Sequence, residues 1–132
     1  MRVEKVPLWG WWGLVVVIIS LPWIGFTTTP QWDRLHLRPF TDPQDTPRDL
    51  AANIALFVPF GVWFAAGDRS RLAFARAALS AAVVSVVAEA PQLFSTLRNP
   101  SATDVVSAMV GSTAGVALQR GVARLALSRQ TP

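Results

Sequence analysis

Residues 8–26 run for nineteen positions without a charged side chain (LWGWWGLVVVIISLPWIGF). At about 1.5 Å per residue such a helix reaches nearly across a hydrocarbon core of roughly 30 Å. Residues 50–67 form a second uncharged run, and residues 77–94 a third, broken only by Glu89. Residues 105–119 are a shorter fourth. In lipid an unbroken apolar segment must satisfy its backbone hydrogen bonds internally, which leaves the helix as the available form. The runs therefore predict an all-α chain, an integral membrane four-helix bundle with helices at about 8–26, 49–67, 72–96 and 103–120. One membrane domain would take in residues 1–132. Residues 27–48, with Pro30, Pro39, Pro43 and Pro47, would form a long polar loop.

The balance of residues agrees. Apolar side chains make up 52% of the 132 residues and charged ones only 15%, shifted from soluble towards membrane proteins. With no Cys, disulfides, thiolate catalysis and Cys-ligated metals are excluded. With a single His, no metal site is expected, and no cofactor is implied. The basic residues are scattered between apolar runs and form no stripe, which argues against nucleic acid. Arg2 and Lys5 could open a cleaved signal peptide, but the apolar run is too long and Thr27-Thr28-Thr29-Pro30 offers no small-x-small site. An uncleaved helix is the better reading, with Trp9, Trp11, Trp12 and Trp23 at its ends as interfacial anchors. Eight basic residues (Arg2, Lys5, Arg69, Arg71, Arg76, Arg120, Arg124, Arg129) fall on one side of the predicted helices and four (Arg34, Arg38, Arg48, Arg98) on the other. The positive-inside rule then places both termini in the cytoplasm, with residues 27–48 and the Arg98 turn facing outward.

Glu89 is the costly residue, since an ionised carboxylate within an apolar run costs a few kcal/mol or more unless paired or hydrated. Asp49, Asn53, Glu89, Arg98 and Asp104 all come from the outward ends of helices two, three and four. Their convergence, together with Gln92 and Ser101, is the candidate ligand-binding site: Asn53, Glu89, Gln92, Arg98, Ser101 and Asp104. Glu89 and Asp104 are the candidate catalytic groups, as general acid or base. Arg98 offers a planar fork to an anionic head group. Each has a structural alternative: Glu89 pairing with Arg98 or Asn53, Arg98 closing the turn on Asp104 or Glu89, and Ser101-x-x-Asp104 as a capping box. His36 reads as a solvated loop histidine. Pro59, which predicts a kink, and Gly61, Gly111 and Gly115 are packing positions. The Gly111-x-x-x-Gly115 spacing allows close helix approach, within the chain first and between copies in a homo-oligomer second.

These residues resemble the VanZ-like family of small bacterial membrane proteins. The resemblance lies in Leu37-Arg38-Pro39-Phe40, in Asn53 with Phe57-Val58-Pro59-Phe60-Gly61, in Glu89, Gln92 and Phe94, and in Arg98, Ser101 and Asp104 followed by Gly111 and Gly115. It covers about residues 35–115. One position departs: where the family usually has Asn, this chain has Ser107, whose hydroxyl lacks the paired amide geometry. The resemblance implies a bacterial plasma-membrane protein, associated in some members with resistance to teicoplanin, a lipid-bearing glycopeptide. It brings no catalytic mechanism. Three classes of function follow as expectations. One is an outward polar pocket that binds or modulates lipid-linked or lipid-tailed envelope molecules, with membrane lipids as partners. The second is an enzyme acting on an envelope lipid through Glu89 and Asp104. The third is a small oligomeric transporter or proton relay.

Overall fold

Prolines and small residues set where each helix of this chain starts, stops and meets its neighbours. In the computed structural model, residues 7–128 are described. They form α1 (Leu8–Ser20), α2 (Pro47–Gly67), α3 (Ala73–Glu89) and α4 (Ala102–Ser128), with 3₁₀ turns at Trp32–Arg34 and Ala90–Phe94. Among the described residues there is no strand, only isolated bridges pairing Phe26 with Ser95 and His36 with Ser101. The all-helical expectation holds. Arg2, Lys5 and Arg129 lie outside the described residues.

α1 is shorter than the uncharged run predicts. It ends at Ser20 and not at residue 26, because Pro22 keeps the preceding residue out of the helical region; Leu21 is extended, with ψ 145°. Its 13 residues span about 20 Å. α2 begins at Pro47, where a missing N–H costs nothing, behind a capping box formed by Thr46 and Asp49. Pro59 sits inside α2 without ending it. Pro59 leaves the Ala55 carbonyl without its helical donor, and on the next carbonyl, Leu56 O, the Trp12 indole N–H donates at 2.8 Å, tying α1 to this turn. α3 stops at Glu89 instead of running to residue 96; Pro91 cannot donate to the ladder, and the chain tightens into the 3₁₀ turn. α4 runs to Ser128, beyond the predicted residue 120, because Arg120 and Gly121 do not break it. The Arg120 guanidinium donates to Ser70 O and lies 4.8 Å over the Phe74 ring, tying this extension to the α2–α3 turn.

α2 and α4 form the most extensive helix pair, and three glycines make it possible. A Cβ on Gly61 would sit 1.9 Å from Ser112 O, one on Gly111 2.3 Å from Ile54 O, and one on Gly115 2.1 Å from Val58 O. The Gly111 and Gly115 face is thus occupied by α2 of the same chain, leaving any homo-oligomer to other faces. Phe57, Phe60 and Phe64 fill the core, with Trp9 edge-on to Phe60 at 5.7 Å. Two helical segments, Pro47–Gly67 and Ala73–Phe94, are long and apolar enough to cross a membrane. The chain alternates direction, so Ser20, Asn53, Glu89 and Asp104 meet at one end of the bundle. Arg69 and Arg120 meet at the other.

Candidate functional site

Glu89, the last residue of α3, is buried where the helix gives way to its 3₁₀ turn. The bend at Pro91 brings the following chain back over it. Glu89 Oε2 accepts the Ser101 backbone N–H at 2.9 Å, and Oε1 accepts from Gln92 Nε2 at 3.2 Å. Ser101 opens α4, and its hydroxyl oxygen accepts the Thr103 N–H at 3.2 Å. The predicted capping box at Ser101 and Asp104 is therefore not the arrangement found. Glu89, from another helix, takes the Ser101 N–H that a capping carboxylate would accept. The Asp104 carboxylate instead accepts from Asn53 Nδ2 on α2. Glu89 and Asp104 line the same small cavity, so the site rests on two neighbouring carboxyls from different helices.

Arg98 is exposed at the mouth. Among the described residues its guanidinium makes no ion pair, so the salt bridge to Glu89 or Asp104 is not formed. Its charge still acts on Asp49, Glu89 and Asp104 together. Gln92 is only 1% exposed, and among the described residues its Oε1 has no hydrogen-bond partner. A buried acceptor left unpaired costs roughly 1–3 kcal/mol, which makes this atom the least satisfied in the site.

Residues 21–46 supply more of the site than sequence reasoning found. The segment is stitched to the far end of α3 and the start of α4. Thr27 N donates to Phe94 O at 2.8 Å, Thr96 N to Gly25 O at 2.8 Å, and His36 N to Pro100 O at 3.0 Å. Phe40 adopts a positive φ of 62°, a strained backbone for an aromatic residue, held by its N–H donating to Thr103 Oγ1 at 2.8 Å. So anchored, the loop delivers Asp45, whose Oδ2 accepts from the Thr103 and Ser101 hydroxyls. It also delivers Asp42, which accepts from Gln44 N at 2.9 Å and Asn99 Nδ2 at 3.2 Å. His36, read from sequence as solvated, is half-buried, with Nε2 3.8 Å from Asp42. The signal for these contacts was present in the D-P-Q-D-T-P run, but a loop without periodicity offers no rule for its partners.

Two neighbouring spaces with shared lining residues result. The inner one, about 20 Å³, is lined by Val16, Ser85, Asn53, Glu89, Gln92, Arg98 and Asp104 among others, and holds one water-sized group. The outer one, about 240 Å³, is lined by Asp42, Asp45, Asp49 and Leu97 and shares Asn53, Arg98 and Asp104 with the inner. Of the predicted ligand-binding set, Asn53, Glu89, Gln92, Arg98 and Asp104 line the inner cavity, and Ser101 fixes Glu89 from behind. Ser107 is buried outside this lining, its hydroxyl donating to Thr103 O at 2.7 Å.

The VanZ/LLP1 family model matches residues 8–124. No curated protein and no solved structure gives a match.

Proposed function

The chain belongs to the VanZ/LLP1 family, and from that premise we propose a multi-pass protein of the bacterial plasma membrane. Its four helices form one membrane domain with both termini cytoplasmic. Its outward polar site binds or modulates lipid-linked or lipid-tailed envelope molecules and contributes to tolerance of glycopeptides such as teicoplanin. The observation that carries this reading is the pairing of an acidic, Arg98-fronted cavity with an apolar surround. Around the mouth, Trp23, Ile24, Phe26, Trp32, Leu37 and Phe40 are all more than 60% exposed, a set that suits an interfacial belt.

The distribution of side chains supports a lipid environment. Leu14, Ile18 and Ile19 on α1 and Leu79, Val83 and Val86 on α3 point outward, while Ser85, Gln92, Ser107 and Ser112 are buried. Water would penalise so large an apolar exterior, whereas lipid accepts it. α1 is too short for a full span alone, and the irregular residues 21–26, bent at Trp23 and Gly25, carry the chain on towards the interface. A second reading, hydrolysis of an envelope lipid, draws on the adjacent Glu89 and Asp104 carboxyls beside a water-sized cavity.

The test is teicoplanin and vancomycin susceptibility in a sensitive bacterium expressing the natural chain, Glu89→Gln or Arg98→Lys. Raised teicoplanin tolerance that disappears in both variants, with vancomycin unchanged, supports the reading and implicates the lipid tail. No change with well-expressed natural chain would sink the resistance role. Turnover of a labelled envelope lipid that depends on Glu89 would favour the hydrolytic reading.

A further inference from the structure

We infer that the inner cavity is a receptor for a primary ammonium group, and that the ligand carries a phosphate a few ångströms away from it, an aminoalkyl phosphate. The inference rests on the reading of this end of the bundle as a ligand site and names the chemistry it selects.

The unpartnered Gln92 Oε1 is the starting point. Gln92 is 1% exposed, and its Nε2 is committed to Glu89 Oε1 at 3.2 Å, so the atom left over is an acceptor. What is missing is a donor. The cavity it lines takes one water-sized group. Two carboxyls, Glu89 and Asp104, line it beside the Ser20 and Ser85 hydroxyls, which can donate or accept, and the Asn53 amide, whose N–H is given to Asp104. Glu89 accepts only from neutral amides, Gln92 Nε2 on Oε1 and the Ser101 N–H on Oε2, and Asp104 Oδ1 accepts from the Asn53 amide, so among these bonds no cation faces either carboxyl. Among the described residues no lysine, and no arginine other than Arg98, lines the cavity. An –NH₃⁺ group is close to water in size, carries three donors, and brings the charge that two adjacent carboxyls lack. A trimethylammonium group has no donor and does not fit about 20 Å³.

Arg98 places the other half of the ligand. It lines both the inner cavity and the outer vestibule, and among the described residues its guanidinium has no ion pair. A phosphate held there bidentately stands beside an ammonium in the inner cavity. Asp42, Asp45 and Asp49 also line the vestibule, so Arg98 is the group that fixes where the phosphate sits and the ammonium is what offsets the carboxyls. The source is either a lipid head group entering from the apolar rim or a soluble aminoalkyl phosphate.

The experiment uses the unmodified chain in nanodiscs of phosphatidylcholine doped with phosphatidylethanolamine, its N-monomethyl and N,N-dimethyl forms, or phosphatidylglycerol. Native mass spectrometry reads which lipid is retained. Retention is expected to fall along the methylation series by about tenfold or more overall, since each methyl removes a charge-assisted donor. Phosphatidylglycerol, with phosphate but no amine, is expected to rank with phosphatidylcholine. Displacement by soluble phosphoethanolamine assigns the soluble source, and displacement by the lipid alone assigns the head group. In Gln92→Leu the series is expected to flatten while total retention through Arg98 persists. Equal retention across the series in the unmodified chain would overturn the ammonium inference and leave the ligand site standing. Retention of no lipid, with no effect of phosphoethanolamine, would overturn both.

Discussion

Glu89 joins α3 to α4 through hydrogen bonds, and both of its oxygens are spoken for. Oε2 caps the chain at Ser101 N and Oε1 receives the Gln92 amide. Glu89→Gln keeps the shape but turns one acceptor into a donor, so either the Ser101 N–H or the Gln92 amide faces a like group. A cost of about 1–3 kcal/mol is expected, read as a lower thermal midpoint in detergent, along with loss of function. An unchanged midpoint would mean that Glu89 does not hold the start of α4. At this scale the identity of the site residues was legible, because a carboxylate, an amide and a guanidinium within apolar runs stand out by their cost. Their partners were not. Asn53 and Asp104 are 51 positions apart, and sequence spacing cannot say that Asn53 takes Asp104 while Glu89 reaches the backbone of Ser101.

Helix ends and helix contacts divide in a similar way. Pro22 and Pro91 explain why α1 and α3 are shorter than their apolar runs, since the fixed proline ring acts on local backbone whatever lies around it. The length of α4 depends on a distant anchor, Arg120 on Ser70 O and Phe74, and local residues did not announce it. The glycine spacing announced close approach without naming the neighbour, which is α2. Gly61 and Gly121 make a controlled comparison. Gly61→Ala puts a Cβ 1.9 Å from Ser112 O, a backbone atom that cannot swing aside, and separating α2 from α4 is expected to cost about 1–3 kcal/mol or more. Gly121→Ala meets nothing within 4 Å in a helix interior and should gain about 0.5–1 kcal/mol from the lower entropy of the unfolded chain. Thermal melts of the two variants should move in opposite directions. Equal shifts would show that the α2–α4 contact is looser than the glycines imply.

The orientation of the whole molecule decides what the site can meet. The bundle separates its ends by chemistry: Asp42, Asp45, Asp49 and Asp104 surround one mouth, while Arg69 and Arg120 mark the other. The eight-to-four division of basic residues favours keeping the Arg69 end in the cytoplasm. The native chain has no Cys, so a single introduced thiol reports without background. Gln44 is exposed at the acidic mouth, and Arg71 is exposed on the turn at the opposite end. Gln44→Cys is expected to react with a membrane-impermeant maleimide in intact cells, and Arg71→Cys only after permeabilisation. The reverse pattern would turn the carboxyls, Arg98 and the aromatic rim towards the cytoplasm, where an extracellular glycopeptide cannot reach them. The site would then have to serve a ligand of the inner leaflet. Labelling of both thiols in intact cells would place neither end behind a membrane barrier and remove the membrane-spanning reading itself.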